Sequence, residues 1–465
     1  MRLPRARSSF GIVDKGSLSA RFILASSWML GEHGVGQLIR FMGNLALTRL
    51  LAPEMFGVMA VAQVFISGMA MFSDMGLDIN IIRSKRGDDI KFLNTAWTLQ
   101  VLRGLLLCFI TICLALLVDL MSLTDFWRPE SVYRSSELPM VLVLLSLSPL
   151  MDGFRSTKIA AANRHLEMKL VAVIRVGSQL AGTALMIALA FVEPSIYALV
   201  FGGIFSRFVL VCASHYVISG ENNRFTWDKS AVAEIFTFGK WIFITSILGF
   251  LLGSGDKLLL AALSDSVTLG LYSLAMALIT ILVGFSNKVV GSVGYAAISE
   301  IDRNNPERIK EIYYRIRFPL DATFLFLTGV LFVTGSIILD LLYDERYLYA
   351  GHMIEVLSLS LVFNRYGFFS RVLSAIGRPD LNVGINILGI ITLYAGLPLI
   401  FSLYGFEGAL WFIAGYKVFT LPLIFYLKRK FDLCNYQEEF KGFFFLGLGV
   451  LVGAIFECAY ECLLT

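Results

Sequence analysis

Apolar runs of membrane-spanning length recur along almost the whole chain, and this pattern decides what it can fold into. Cut at polar clusters, the runs cover residues 22–49, 55–82, 92–118, 138–161, 168–192 and 195–218. After the polar stretch from Gly220 to Glu234 come 236–263, 268–298, 317–340, 348–373, 381–403 and 405–427. Each is long enough to cross the hydrocarbon as one helix. With 57% hydrophobic and 16% charged residues among 465, and a mean hydropathy of +0.74, there is too little polar material for a water-covered surface. The expected fold is an all-α polytopic membrane protein: two six-helix bundles in pseudo-twofold arrangement around a central cavity. A last apolar run, Gly442 to Leu464, carries Glu457 and Glu461 near its end and adds an accessory helix. The expected domains are an N-terminal lobe at 1–219, a cytoplasmic linker at 220–235, a C-terminal lobe at 236–430, and a linker with the accessory helix at 431–465.

Lysine and arginine are retained on the cytoplasmic side during insertion, so their placement orients the spans. Alternate loops hold Arg83, Lys85, Arg86 and Lys91; Arg155, Lys158, Arg164 and Lys169; Arg224 and Lys229; Arg303, Arg308, Lys310, Arg315 and Arg317; Arg371 and Arg378; then Lys428, Arg429 and Lys430. These belong in the cytoplasm with the N-terminus. The opposite loops, around Pro53, Asp125, Glu193, Asp265, Asp344 and Tyr404, carry few basic residues. Arg2, Arg5 and Arg7 precede no apolar stretch with a cleavage site, so no removable signal peptide is expected. A net charge of +4 gives no reason to expect a nucleic-acid partner. Of six cysteines, five lie within apolar runs and read as small buried hydrophobes, with no disulfide framework or metal motif.

The two halves repeat at a constant offset: Leu50 to Ala62 aligns with Leu263 to Ala275, and Gly57 with Gly270, each stretch marking the first external turn of its half. An even number of spans per half gives the copies the same orientation, with an axis along the membrane normal.

Ionisable groups deep in a span cost a few kcal/mol or more if they face lipid, so they mark a protein interior or a wet cavity. The mid-span cations Arg40, Arg103, Arg207, Lys257, Lys288, Arg365 and Lys417 outnumber acidic partners at the same depth. A cationic interior suits an anionic substrate, and guanidinium forks suit phosphate oxygens in particular. Coupling to an ion gradient would need a carboxylate, for which Glu32, Asp74, Asp256, Asp321 and Glu355 are the candidates.

The stretch Leu47 to Gly57, then Phe72 to Leu77 and Arg83, resembles the polysaccharide transporter family, the Wzx-type flippases. Phe238-Gly239-Lys240, Gly255-Asp256-Lys257, Leu269 to Ser273 and Ala375 to Pro379 extend the resemblance over most of the chain, and these motifs mark the wider multidrug/oligosaccharidyl-lipid/polysaccharide exporter superfamily as well. The resemblance implies a bacterial inner-membrane flippase that works by alternating access. Its cargo would be an undecaprenyl-diphosphate-linked oligosaccharide, carried from the cytoplasmic to the periplasmic leaflet for exopolysaccharide or lipopolysaccharide synthesis. A cationic lumen would take the diphosphate and sugars while the isoprenoid tail stays in membrane lipid. A polysaccharide polymerase and a chain-length regulator are the partners it suggests.

A multidrug exporter of the same superfamily would favour an acid-dominated cavity for cationic drugs. A membrane polymerase or ligase needs a sizeable external loop for its catalytic residues, and the longest here, about Leu120 to Glu137, is short. A scaffold subunit leaves the buried charges and the repeat without a purpose. Without a Walker A pattern or zinc spacing, neither ATP hydrolysis, metal chemistry nor a cofactor is expected, and the chain is not expected to be an enzyme.

Overall fold

A computed structural model describes residues 18–124, 126–304 and 306–464, apart from the side chains of 18–23, 238, 240–241, 285–297, 299–300, 302–304, 306 and 463–464. The readings that rest on Arg2, Arg5, Arg7 and Asp125, and on the side chains of Lys240, Lys288 and Arg303, therefore lie outside the described residues.

All regular elements among the described residues are helical. The first half comprises α1 (Leu18–Leu50), α2 (Pro53–Phe72), α3 (Leu77–Arg83), α4 (Ile90–Ser122), α5 (Leu138–Leu145), α6 (Leu147–Phe154), α7 (Lys158–Arg164), α8 (Met168–Val192) and α9 (Ile196–Tyr216). The second comprises α10 (Lys229–Leu263), α11 (Ser266–Asn304), α12 (Ile309–Leu342), α13 (Tyr349–Ser358), α14 (Ser360–Asn364), α15 (Gly367–Ala375), α16 (Pro379–Gly415), α17 (Leu421–Lys430), α18 (Tyr436–Lys441) and α19 (Phe443–Leu464).

Among the described residues, nine helices are long and apolar enough to cross a membrane, or ten if the bent run from Leu138 to Arg164 is one span. The larger expected number has three sources. In α1, Glu32, His33 and Arg40 dilute the apolar character, and α13 to α15 are each too short alone. Third, residues Pro379–Lys430 count as one run of 52, about 78 Å if straight and far beyond the roughly 30 Å hydrocarbon layer. That run breaks at Gly405, whose φ of 67° lies in the left-handed region, at the boundary expected between two spans.

Other breaks depend on side chains. The Ser73 hydroxyl turns back onto the carbonyls of Met69 (2.9 Å) and Ala70 (3.2 Å), ending α2, and Asp74 Oδ1 accepts the Gly76 N–H at 2.8 Å. Gly76 has φ 59°, so the expected span 55–82 is two helices joined by a tight turn. A bend of 55° separates α5–α6 from α7, and Gln100 Nε2 meets the freed carbonyls of Asp152 (2.8 Å), Gly153 (3.1 Å) and Arg155 (2.9 Å).

Two compact units emerge. One gathers the chain up to Leu47 with Phe65–Leu117 and Pro139–Ser246; the other gathers Thr48–Val64, Val118–Leu138 and Ile247–Thr465. In the first, the polar linker is laid along α4: the backbone N–H groups of Arg224, Thr226 and Asp228 donate to Asn94 Oδ1 (3.1 Å), Thr98 Oγ1 (3.0 Å) and Thr95 Oγ1 (3.1 Å). Arg86 closes the strap on Asp228 at 2.6 Å, and this bond, then those from Ser230, hold the Asp228 carboxyl well below the usual carboxylate range. In the second unit α19 docks on α12 through glycines, since a Cβ on Gly449 would lie 2.2 Å from the Phe326 carbonyl oxygen and one on Gly329 2.4 Å from that of Leu446.

Two outcomes follow. Gly449→Leu is expected to undock α19, seen as faster proteolysis after Lys441 with α8–α9 unaffected; an unchanged digest would show that the glycine contact does not hold α19. Because the Asp228 pKa is depressed in the folded protein, its contribution is present above the ordinary value near 4 and fades as pH falls through the folded one. Protection of the 220–228 strap against proteolysis should hold from pH 8 down to about 4 and be weakened at every pH by Asp228→Asn.

Candidate functional site

Within the first unit α2, α3, α4, α6 and α9 enclose a cavity of about 590 Å³. Arg103 and Arg207, expected from the sequence, both line it, together with Asp74, Asp78, Asp152 and Arg155. Gly104 lets α4 lie against α6, because a Cβ there would stand 2.8 Å from the Pro149 carbonyl oxygen. Arg207 donates to the Asp152 carboxylate, and Arg155 Nη2 lies 2.8 Å from Asp78 Oδ2. Arg103 differs: it donates to Ser73 Oγ (2.8 Å) and the Ala70 carbonyl oxygen (2.5 Å), and has no ion pair among the described residues. Three guanidiniums therefore meet three carboxylates, and the excess of cations read from mid-span residues is not a property of this cavity. What it offers is one guanidinium held by neutral groups beside two exchangeable pairs.

The other sequence-selected residues lie elsewhere. Along α1, Arg40 is exposed and donates to Gln37 Oε1 at 2.9 Å, while Glu32 pairs with Arg175 of α8 at 3.3 Å. Lys257 is half-buried in α10 with no ion pair among the described residues. Its neighbour Asp256 is buried; it accepts from the Tyr272 hydroxyl through Oδ2 and leaves Oδ1 without a partner. Lys417 donates to Asn364 Oδ1 at 2.9 Å in a pocket of about 150 Å³ that Ser370, Asn386 and Thr420 also line. Glu355 accepts the Ser336 N–H at 2.9 Å and lies 3.6 Å from His352.

Arg365 and Asp321 enter a buried ionic cluster. Arg317, fully buried on α12, lies 3.1 Å from Asp321 and 2.5 Å from Glu439 of α18, and Arg365 is 3.6 Å from Asp321. Lys428, also fully buried, donates to the same Glu439 carboxylate, and the rings of Tyr313 and Tyr366 pack against the cations. Three cations share two carboxylates, so Glu439 is the hub that fixes α18 to α12 and α17.

Sequence reading missed Arg155 and Asp78 as cavity residues, since both fall at the polar ends of spans; it also passed over Gln100 and Ser73. The mid-span Asp152 was the one available signal.

A family model described as "Polysaccharide biosynthesis protein" matches residues 46–352. The chain belongs to this family. The chain is 21% identical over 386 residues to an uncharacterized membrane protein in the cps region of Klebsiella pneumoniae, covering 81% of this chain and 75% of that one. It is 22% identical over 340 residues to the lipopolysaccharide biosynthesis protein WzxC of Escherichia coli K12, covering 72% of this chain and 63% of that one. Its fold is similar to that of the lipid II flippase MurJ, solved in an inward closed conformation, with a TM-score of 0.65 and 15% identity over 95% of this chain and all of that one. The polysaccharide transporter resemblance carried by Leu47 to Gly57 is thereby upheld, and the chain is a multi-pass membrane protein.

Removing the Glu439 charge leaves three buried cations facing Asp321 alone. Glu439→Gln should cost about 3 kcal/mol or more, read as a large fall in the melting temperature of the detergent-solubilised protein. An unchanged melting temperature would show that the cluster is neutralised by other means.

Proposed function

We propose that this transporter flips a polyprenyl-diphosphate-linked oligosaccharide from the cytoplasmic to the periplasmic leaflet of the bacterial inner membrane, its N-terminus in the cytoplasm. The observation that carries this reading is Arg103: a cavity guanidinium anchored by Ser73 and Ala70, with no carboxylate in contact. A diphosphate can take that cation directly and draw Arg207 from Asp152 and Arg155 from Asp78 by presenting more acceptor oxygens than a carboxylate does. The carboxylates so released accept hydrogen bonds from sugar hydroxyls, and the apolar tail stays in lipid. The lobes expected at 1–219 and 236–430 alternate between inward-open and outward-open forms, and the synthesis of the polysaccharide is completed by a polymerase and a chain-length regulator. Among the candidate carboxylates, Asp256 is the group we assign to ion coupling, since it keeps one buried oxygen without a partner while Glu32, Asp74, Asp321 and Glu355 are all engaged.

The test is exchange of a fluorescent undecaprenyl-diphosphate oligosaccharide in liposomes, read with an external quencher. Losing a hydrogen bond to a charged group is worth about 2 kcal/mol, so Arg103→Ala should weaken apparent affinity about thirtyfold. Arg103→Lys, which retains the charge, should recover part of that loss. Asp256→Asn should leave downhill exchange intact and abolish its response to an imposed proton or sodium gradient. Exchange no faster than in protein-free liposomes would sink the lipid-linked cargo; exchange untouched by the Arg103 variants would move the site elsewhere.

A further inference from the structure

The sequence repeat has a physical counterpart at the ends of four helices, all of it within the second compact unit. Gly57 and Gly270, equivalent in the two halves, touch reciprocally: a Cβ on Gly57 would lie 2.0 Å from the Ser266 carbonyl oxygen, and one on Gly270 2.0 Å from that of Pro53. Pro53 and Ser266 are themselves equivalent positions, so the contact is two-fold in character.

The offset that takes Leu50 to Leu263 also takes Ser131 to Asp344. Each of these opens a three-residue 3-10 turn, Val132–Arg134 and Glu345–Tyr347, by accepting the backbone N–H two residues on. Each turn carries a buried tyrosine that bonds a backbone carbonyl in or just beyond the C-terminal part of the other half's first helix. The Tyr133 hydroxyl donates to the Leu258 carbonyl oxygen of α10 at 3.1 Å, and that of Tyr347 to the Leu51 carbonyl oxygen beyond α1 at 2.8 Å. Ser131 adds a bond to the Ala261 carbonyl oxygen at 2.9 Å.

We infer that Tyr133 and Tyr347 are paired gate residues of the transport cycle. They hold closed the face bearing the loops around Pro53 and Asp265, the face that the charge rule places outside, and both bonds part before cargo leaves there. The inference rests on the transport reading for its purpose, but its geometry stands without it. The Leu51 carbonyl lies beyond the end of α1, where intrahelical bonding leaves acceptors free, and the Leu258 carbonyl sits inside α10 with its own intrahelical bond, so releasing either tyrosine strands no acceptor and the gate can open at modest cost. The glycine pair allows backbone to meet backbone with no side chain between, which sets how tightly the face shuts.

Hydrogen–deuterium exchange of the full chain in lipid nanodiscs, read by mass spectrometry, tests this without any cargo. One hydrogen bond is worth about fivefold in the open-to-closed ratio. Tyr133→Phe and Tyr347→Phe should each speed exchange of peptides 47–57 and 258–270 about fivefold and the double variant about twenty-fivefold, with peptides of α8–α9 unchanged. Gly57→Ala, which puts a methyl group against backbone, should act at the same peptides. Unchanged exchange there in the double variant and in Gly57→Ala would overturn the gate, as would acceleration spread equally over α8–α9. A localised response from a protein that moves no lipid-linked oligosaccharide would uphold the gate and remove the cargo assigned above.

Discussion

Hydrocarbon offers a broken helix nothing to bond, so each carbonyl freed inside this chain has to be met by another part of the chain. That constraint places several of the polar residues described above. Ser73 and Arg103 serve the end of α2, Gln100 serves three carbonyls at the bend after α6, and Ser131 and Tyr347 serve the ends of α10 and α1. Arg103 is thus a cap as well as a cation. A break in a membrane helix is tolerated where it borders protein or water, and the break after Phe72 borders the cavity of about 590 Å³ in the first unit.

The spans were legible because a run of apolar residues about twenty long has one outcome in a bilayer. Gly405 falls where two spans were expected to divide, and Gly57 and Gly270 fall at equivalent turns. Mid-span charge was legible as unusual, yet its partners were not. Arg317 and Glu439 lie 122 residues apart, and Arg155 and Asp78 lie 77 apart, so no local periodicity links them. Counting cations against acids along the chain therefore overstated the charge available to a ligand: Arg365, selected as a cavity cation, is neutralised by an acid on α12 that sequence distance concealed. Arg103 and Arg207 were found by depth alone, whereas Asp78 and Arg155 escaped because they sit at helix ends, where charge is ordinary.

Two kinds of charge clustering are thereby separated. The cluster around Glu439 is fully buried, packed by tyrosine rings and built from α12, α17, α18 and the segment carrying Arg365. Removing one member leaves its partners buried and unpaired, so it resists change. The cavity pairs Arg207–Asp152 and Arg155–Asp78 are partly exposed and border about 590 Å³ of open space, so their members can change partners at small cost. Burial, more than the presence of charge, distinguishes a brace from a binding surface.

The helix α2 carries features of both kinds of function. Gly57 near its start makes the reciprocal glycine contact, and Ala70 near its end accepts from Arg103, with 20 residues, about 30 Å, in the whole element. A diphosphate that draws Arg103 away would strip a donor from the last turn of α2, and the freed carbonyl would then need water or a shift of the helix end. A continuous helix transmits such a shift along its axis because its own hydrogen bonds resist stretching. On the transport reading proposed above, a ligand at Arg103 would thus bear first on the last turn of α2, the turn that Ser73 and Arg103 cap.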